Sequence, residues 1–283
     1  MTLDGKTMFI SGASRGIGLA IAVRAARDGA NVALVAKTAE PHPRLEGTIY
    51  TAAEQIEAAG GAALPIVGDI RDEAAVEMAV TQAVERFGGI DIVVNNASAI
   101  NLARTEQLEV KGFDLMHQIN VRGSFVLTKA CLPHLRHAAN PHILTLSPPL
   151  TLDRKWLGGH IAYTLAKYGM SLLALGWAEE LREAGIASNA LWPRTLVATA
   201  AVQNLLGGDE AMRRSRRPEI YADSAYEILT RDSRACTGNT FLCEDVLIET
   251  GLTDLSRYDL VEGAELSVDL YVDDVNPPAP AAD

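Results

Sequence analysis

Short apolar runs alternate with longer amphipathic ones along nearly the whole chain, and this alternation limits the fold more than any single motif. The runs "TMFIS" (7–11), "NVALVA" (31–36), "ALPIVG" (63–68), "IDIVVNN" (90–96), "HILTLS" (142–147), "ASNALW" (187–192) and "NTFLC" (239–243) have the length and residue types of strands. Helical patterns lie near 17–29, 48–60, 72–87, 105–136, 160–184 and 219–231. Strands joined through helices pair in parallel, and uninterrupted apolar strands imply a sheet covered on both sides. The sequence therefore predicts an α/β fold with one doubly wound domain over 1–245. Its sheet is mainly parallel and seven-stranded, with helices on both faces. No repeat or linker divides that domain. The segment 193–218 interrupts the alternation and reads as a lid over a site. An acidic extension, 246–283, follows, and its closing "NPPAPAAD" reads as frayed. Over 244–276 ten acidic residues face Arg257 alone.

The first strand and helix frame a glycine-rich turn, "FISGASRGIGLAIA" (9–22). Gly12, Gly16 and Gly18 let backbone N–H groups approach a pyrophosphate at a helix N-terminus. Alone, three glycines are a weak signal; between a strand and a helix that open an alternating fold, they point to a dinucleotide. A site that prefers NAD tends to place an acid after its second strand, against the ribose hydroxyls. Here that position reads Ala36, Lys37, Thr38, with no acid, and Arg15 adds a second cation in the glycine turn. Two cations without an acid suit a 2′-phosphate, so the expected cofactor is NADP(H).

A second motif is "AYTLAKYG" (162–169), in which Tyr163 and Lys167 stand one helical turn apart on one face. A phenol with a pKa near ~10 needs roughly 4 kcal/mol of help to ionise near neutrality. A lysine charge about 4–5 Å away supplies roughly 3–4 kcal/mol at an effective dielectric near 20. The pair thus reads either as a proton donor tuned by its lysine or as two residues on a solvated face. Tyr168 follows Lys167 directly and points elsewhere around the helix.

Bulk properties exclude other classes. A net charge of −11 argues against a nucleic-acid partner. No apolar run reaches membrane length and no signal peptide is expected. Cys131, Cys236 and Cys243 lack metal-ligand spacing and read as reduced and structural, which suits a cytoplasmic setting. The scattered histidines give no basis for a bound metal.

The glycine turn, "NNAS" (95–98), Asn120 in "INVRG", and Tyr163 with Lys167, in that order, resemble the short-chain dehydrogenases/reductases, over about residues 5–245. The combination "AKTAEPHPRLEGTIYTAAEQIEAAGG", "SPPL", "AYTLAKYGMS" and "NALWPRT" resembles the hydroxysteroid-dehydrogenase-like branch of that family. Members of that branch often carry a C-terminal sterol-carrier domain, which 283 residues are expected to be too few to include. The resemblance implies a Rossmann-type fold and a phosphate loop of Ser11, Gly12, Ser14, Arg15, Gly16, Ile17 and Gly18. It implies Asp69 at the adenine amino group, Asn96 and Ala97 on the ribose side, and Pro193 beside the cofactor. Tyr163 would be the proton donor or acceptor. Lys167 would lower its pKa and hold the nicotinamide ribose, and Asn120 would join a water relay. For Asn120 a helix kink, and for Asp69 a strand-end cap, are the plain alternatives. The implied activity interconverts a carbonyl and an alcohol on a small hydrophobic or lipid-like molecule. An acyl-thioester (3-oxoacyl or enoyl) reductase and a non-catalytic NADP(H)-binding sensor are the rivals. The family also implies a homo-oligomer, dimer or tetramer, through helices 105–136 and 160–184. Tail residues Leu255, Tyr258, Leu260, Leu266, Leu270 and Tyr271 are apolar enough to need a surface, and the tail is expected to fold over a neighbour.

Two positions depart from the family pattern. Its catalytic serine, second of a Ser-Ser pair, falls on Pro148, which leaves Ser147 as the expected catalytic hydroxyl and Thr151 as the substitute. Arg194 stands where the family has glycine, and reads as a ligand for a phosphate or substrate carboxylate or as a solvent-facing cation. The cluster "MRRSRRPE" (212–219) reads as a solvated loop or as a dock for an anionic carrier such as a coenzyme A thioester. The stripe Met170, Leu173, Ala174, Trp177, Leu181 reads as core or subunit interface.

Overall fold

In the computed structural model, which describes residues 1–42 and 45–275, seven strands form one sheet in the order β3-β2-β1-β4-β5-β6-β7. The strands are β1 (Thr7–Ser11), β2 (Asn31–Ala36), β3 (Ala62–Val67), β4 (Ile92–Asn95), β5 (His142–Thr145), β6 (Ala187–Trp192) and β7 (Thr240–Leu242). Every neighbouring pair is parallel. Helices run as α1 (Gly16–Ala26), α2 (Ile49–Ala58), α3 (Glu73–Phe87), α4 (Val110–Met116), α5 (Gly123–Leu135), α6 (Arg154–Gly159), α7 (Ile161–Glu180), α8 (Ala200–Leu205), α9 (Gly208–Arg213), α10 (Glu219–Leu229) and α11 (Cys243–Glu249). None of them is long and apolar enough to cross a membrane.

The two-residue period of a strand divides the core. Met8, Ile10, Val32, Leu34, Ile92, Val94 and Leu144 pack on one face, with α1 and α10. Phe9, Ala33, Val35, Val93 and Ile143 pack on the other, with α3, α5 and the Trp177–Leu181 end of α7. Each fully buried aliphatic side chain contributes about 1.5–3 kcal/mol, so a central strand that is apolar throughout stabilises both layers. The stripe Met170, Ala174, Trp177, Leu181 is buried as core, and the three cysteines are buried free thiols.

Order reverses at β1, which lies between β2 and β4. In such sheets a crevice opens beyond the carboxyl ends of the strands at the reversal. The expected helix 105–136 begins at Val110 and contains one wide π-turn, His117–Arg122, with Asn120 inside it.

The expected boundary at 245/246 cuts through α11, which follows β7 without a break and buries Glu244, Val246 and Leu247. Leu255 and Tyr258 join the core under α10, and Tyr271 joins a third apolar cluster beside α7. The surface that the apolar tail residues needed is therefore on their own chain. The terminal "NPPAPAAD" (276–283) lies outside the described residues.

His142 gives the fold a pH dependence. It is fully buried in β5, and its Nε2 meets the Arg231 carbonyl at 3.1 Å while Nδ1 has no partner. Burial lowers its pKa to about 4, against a small opposing effect of the Arg231 carbonyl and the Asp232 charge. A folded pKa below the unfolded one makes stability full above about pH 6.5 and progressively lost toward pH 4, by up to about 3 kcal/mol. Urea midpoints between pH 7.5 and 4.5 should fall accordingly, and His142→Gln should remove that part of the slope. A slope indifferent to the substitution would refute the assignment.

Candidate active site

A cavity of about 840 Å³ opens beyond the carboxyl ends of the strands. At one end stands the glycine turn. Gly12 has φ +72°, and a Cβ there would lie 3.0 Å from the Ala97 Cα. A Cβ on Gly18 would lie 2.5 Å from Asn96 Nδ2. Asn96 uses that nitrogen to donate to the carbonyls of Ser11 (2.7 Å) and Gly12 (3.0 Å). Ser11 Oγ accepts from the N–H groups of Asn96 and Ala97 at 3.2 and 3.1 Å. Ser11, Gly18 and Asn96 therefore brace the turn, while Gly12, Ser14, Arg15, Gly16, Ile17, Asn96 and Ala97 line the cavity.

Helices α2 and α3 are capped by Thr48 and Asp72, but α1 has neither a side-chain cap nor an acid in its first turn. An uncapped, glycine-flanked helix start facing a cavity is the donor set that an anionic pyrophosphate fits.

The adenosine end differs from expectation in one respect. No acid follows β2, but Asp69, after β3, comes to Lys37, with Nζ 3.2 Å from Oδ2. Arg71 holds the same carboxylate through both oxygens, and its hydrogen bonds keep Asp69 well below the usual carboxylate range. Lys37 is thus partly neutralised. Arg15 donates from Nε to the Glu46 carbonyl (2.8 Å) and from Nη2 to the Gly47 carbonyl (2.7 Å). Lys37, Asp69 and Arg15 all line the cavity.

At the other end α7 presents Tyr163 and Lys167, 4% and 3% exposed, both lining the cavity. Lys167 Nζ donates to the Leu146 carbonyl at 2.9 Å and lies 5.1 Å from the centre of the Trp192 ring. Burial lowers the lysine pKa to about 7, with the Asp269 charge opposing. Burial first, then the charges of Tyr271 and Asp269, raise the Tyr163 phenol. Burial thus acts on the phenol in the direction opposite to that expected of Lys167.

Asn120 clamps the loop after β4. Its Oδ1 accepts from the Ala99 N–H at 2.7 Å and its Nδ2 donates to the Ala99 carbonyl at 3.0 Å. Tyr168 donates to the Thr151 carbonyl at 2.9 Å, apart from the cavity lining. Ser147 is buried, its hydroxyl is unpaired, and it is not among the lining residues. The neighbouring Pro148 carbonyl accepts from Ser171 at 2.6 Å, which ties the segment after Leu146 to α7.

Three further expectations are corrected. Arg194 neither faces solvent nor waits for an anion: Nε and Nη2 donate to the two oxygens of Asp245 at 2.7 and 2.9 Å. The 212–219 cluster is divided: Arg213 and Arg217 are exposed, as a solvated loop would have them, whereas Arg216 is not available as a dock. Arg216 is buried between Glu244 (3.0 Å) and Asp259 (3.2 Å), and Arg214 and Arg217 donate to the carbonyls of Glu265 and Asp259. Acids counted in the sequence as an acidic tail are the counter-charges of these arginines.

Residues 266–272 supply a wall of the cavity that sequence reasoning missed. Asp269 N–H donates to the Arg194 carbonyl and Trp192 Nε1 donates to the Leu270 carbonyl, each at 2.9 Å. Asp269 and Leu270 thereby line the cavity with Tyr163, Lys167, Trp192 and Pro193. The alternation of Leu266, Val268 and Leu270 with polar residues was the available signal. The 193–218 segment contributes α8 and α9, and α8 lines the same cavity.

Comparisons with known proteins agree with this architecture. A family model described as short chain dehydrogenase matches residues 6–208. A hydroxysteroid dehydrogenase-like protein 2 from Danio rerio is 55% identical over 96% of the chain, which covers 65% of that protein. The chain thus spans slightly under two thirds of the length of that relative. A crystal structure of a short chain dehydrogenase from Mycobacterium thermoresistibile is 67% identical, covers all of both chains and superposes with a TM-score of 0.94. A blue fluorescent protein from a metagenomic library, solved in complex with NADPH, is 26% identical over 86% of this chain and 97% of its own, with a TM-score of 0.73.

Proposed function

Since the chain belongs to the short-chain dehydrogenase/reductase family of nicotinamide-dependent oxidoreductases, we propose that it interconverts a carbonyl and an alcohol on a hydrophobic substrate, with NADP(H) as cofactor. The observation that carries this reading is one cavity lined both by the uncapped glycine turn and by Tyr163 with Lys167. Ser14, Arg15, Gly16 and Ile17 would hold the pyrophosphate, Asn96 and Ala97 the ribose side, and Pro193 the nicotinamide end. Asp69 stays at the adenine end as a permanent anion. When bound, the nicotinamide supplies or takes up a hydride. Tyr163 moves the proton on the substrate oxygen, and Lys167, seated on the Leu146 carbonyl, holds the nicotinamide ribose and its charge near that phenol. Leu196, Val197, Leu205 and Trp192 give the substrate half apolar walls, which suits a hydrophobic molecule.

A panel of ketones, aldehydes and acyl thioesters, read by NADPH oxidation, tests the reaction. Turnover on thioesters alone would favour the acyl-thioester alternative, against which stands the pairing of the 212–219 arginines. The raised Tyr163 phenol and the absent serine favour the sensor; tight NADPH binding without turnover on any compound would establish it.

Cofactor choice rests on Lys37, Arg15 and the absence of an acid at 36–38, and the NADPH-bound relative is in keeping with it. NADPH should bind better than NADH by roughly 1–3 kcal/mol, from charge-assisted bonds to the 2′-phosphate. Lys37→Asp should narrow or reverse that preference; equal affinities in the unmodified protein would overturn it. Ile161, Leu165 and Leu172 on α7 and Phe125 on α5 are exposed apolar side chains, which fits a homo-oligomer joined through these helices. Light scattering should find no monomer at micromolar concentration.

A further inference from the structure

The segment 266–272 crosses the end of β6, tied there by backbone bonds on both sides of Asp269. It is further pinned by Tyr271, whose ring packs on Tyr168 (5.3 Å), Trp156 (5.7 Å), His160 (5.9 Å) and Trp192 (6.2 Å). Tyr271 is the only non-glycine residue at positive φ (+68°) among the described residues. Such a conformation is strained for a residue with a side chain and persists where the surroundings over-determine it. Here the surroundings are that aromatic cluster and the Thr164 hydroxyl, 3.1 Å from the Tyr271 hydroxyl.

What this segment delivers to the cavity is a carboxyl group. Asp269 Oδ1 accepts from the Leu270 N–H at 2.6 Å, and Oδ2 has no hydrogen bond. The surrounding walls, Trp192, Leu196, Val197 and Leu270, are apolar. Asp269 is half-buried, so this open oxygen can be reached by a donor that enters the cavity. Desolvation raises Asp269 to a pKa of about 7, with Glu244 adding to the rise and the Leu270 N–H and Lys167 opposing it. The Asp269 N–H sits on the Arg194 carbonyl, next to Trp192 and Pro193, and these residues line the cavity with Tyr163 and Lys167.

We propose that Asp269 is a specificity-determining residue: its open oxygen accepts a hydrogen bond from a hydroxyl or amine on the substrate, and its charge excludes free carboxylates from the Tyr163 end of the cavity. The substrate class narrows to hydrophobic carbonyl compounds that carry a second, donating group. This deepens the carbonyl–alcohol reading and rests on it.

Binding to the NADPH-loaded protein tests the proposal without turnover, since NADPH with an alcohol is a non-productive pair. The probes are octane-1,2-diol, 2-octanol and octanoate, titrated calorimetrically at pH 8. A hydrogen bond to a charged group predicts that the diol binds about tenfold to a hundredfold tighter than 2-octanol, with octanoate weakest. Asp269→Leu should abolish the advantage of the diol. Asp269→Asn, which keeps an acceptor and the shape, should retain part of that advantage while octanoate gains about tenfold or more. Octanoate binding the unmodified protein as tightly as the diol, no binding of the diol, or an order unchanged in Asp269→Asn would overturn the proposal. Ketone turnover, measured separately, reports on the carbonyl–alcohol reading: its loss with the binding order intact removes that reading and leaves the role of Asp269 in recognition.

Discussion

Replacing Tyr163 with phenylalanine is expected to lower turnover by about 10²–10⁴-fold, the usual contribution of a positioned proton donor, with NADPH affinity little changed. The side chain is the phenol of the cavity that lies one turn from a lysine, and it is almost fully buried there. The raised phenol pKa means that the protein's own groups leave Tyr163 protonated. Tyr168→Phe should be mild, because its hydroxyl serves only the Thr151 backbone. Ser147→Ala is the second control. The sequence alone assigns it a loss of roughly a hundredfold to a thousandfold, but its hydroxyl is unpaired away from the cavity lining. Most activity should therefore survive, and a hundredfold loss would return Ser147 to the mechanism. An active Tyr163→Phe would dismiss the assignment of the proton donor.

Arg216→Met is expected to destabilise the fold by about 3–5 kcal/mol, the cost of stranding a buried charge. Glu244 is fully buried, and Arg216 Nη1 donates to it at 3.0 Å. Burial raises the Glu244 pKa, and the bond from the Arg194 N–H and the Arg216 charge resist that rise. Without the arginine the carboxyl must take up a proton or remain charged without its cation, and Asp259 loses its partner as well. Arg216→Met combined with Glu244→Leu removes both charges and should recover most of the loss, as apolar replacement of buried pairs often does. Urea denaturation with near-constant slope would measure both. A single variant within about 1 kcal/mol of the unmodified protein would show that the cluster is solvated after all.

The strands were legible because a sheet covered on both faces leaves long apolar runs, and β1, β2 and β6 carry the bounds that those runs give. The glycine turn and the Tyr163–Lys167 pair were legible because both act through residues close in sequence. What failed depended on partners far along the chain. Asp69 reaches Lys37 from 32 residues away, Arg194 meets Asp245, and Arg216 meets Glu244 and Asp259. Charge counts show a basic cluster and an acidic tail, but not that they neutralise one another. The burial of the phenol was illegible for another reason: the arithmetic of one lysine omits desolvation, which depends on the whole fold. Asp269 escaped because one acid among ten carries no local pattern.

The wall that 266–272 adds has a consequence for the order in which the molecule is made. A ribosome delivers the glycine turn, the proton donor and all seven strands before it reaches Ser267. The dinucleotide half of the cavity is therefore complete in sequence while the substrate half still lacks a side. A growing chain therefore carries the glycine turn and the Tyr163–Lys167 helix before it carries the 266–272 wall, and the cavity stays open on that side until those residues are made.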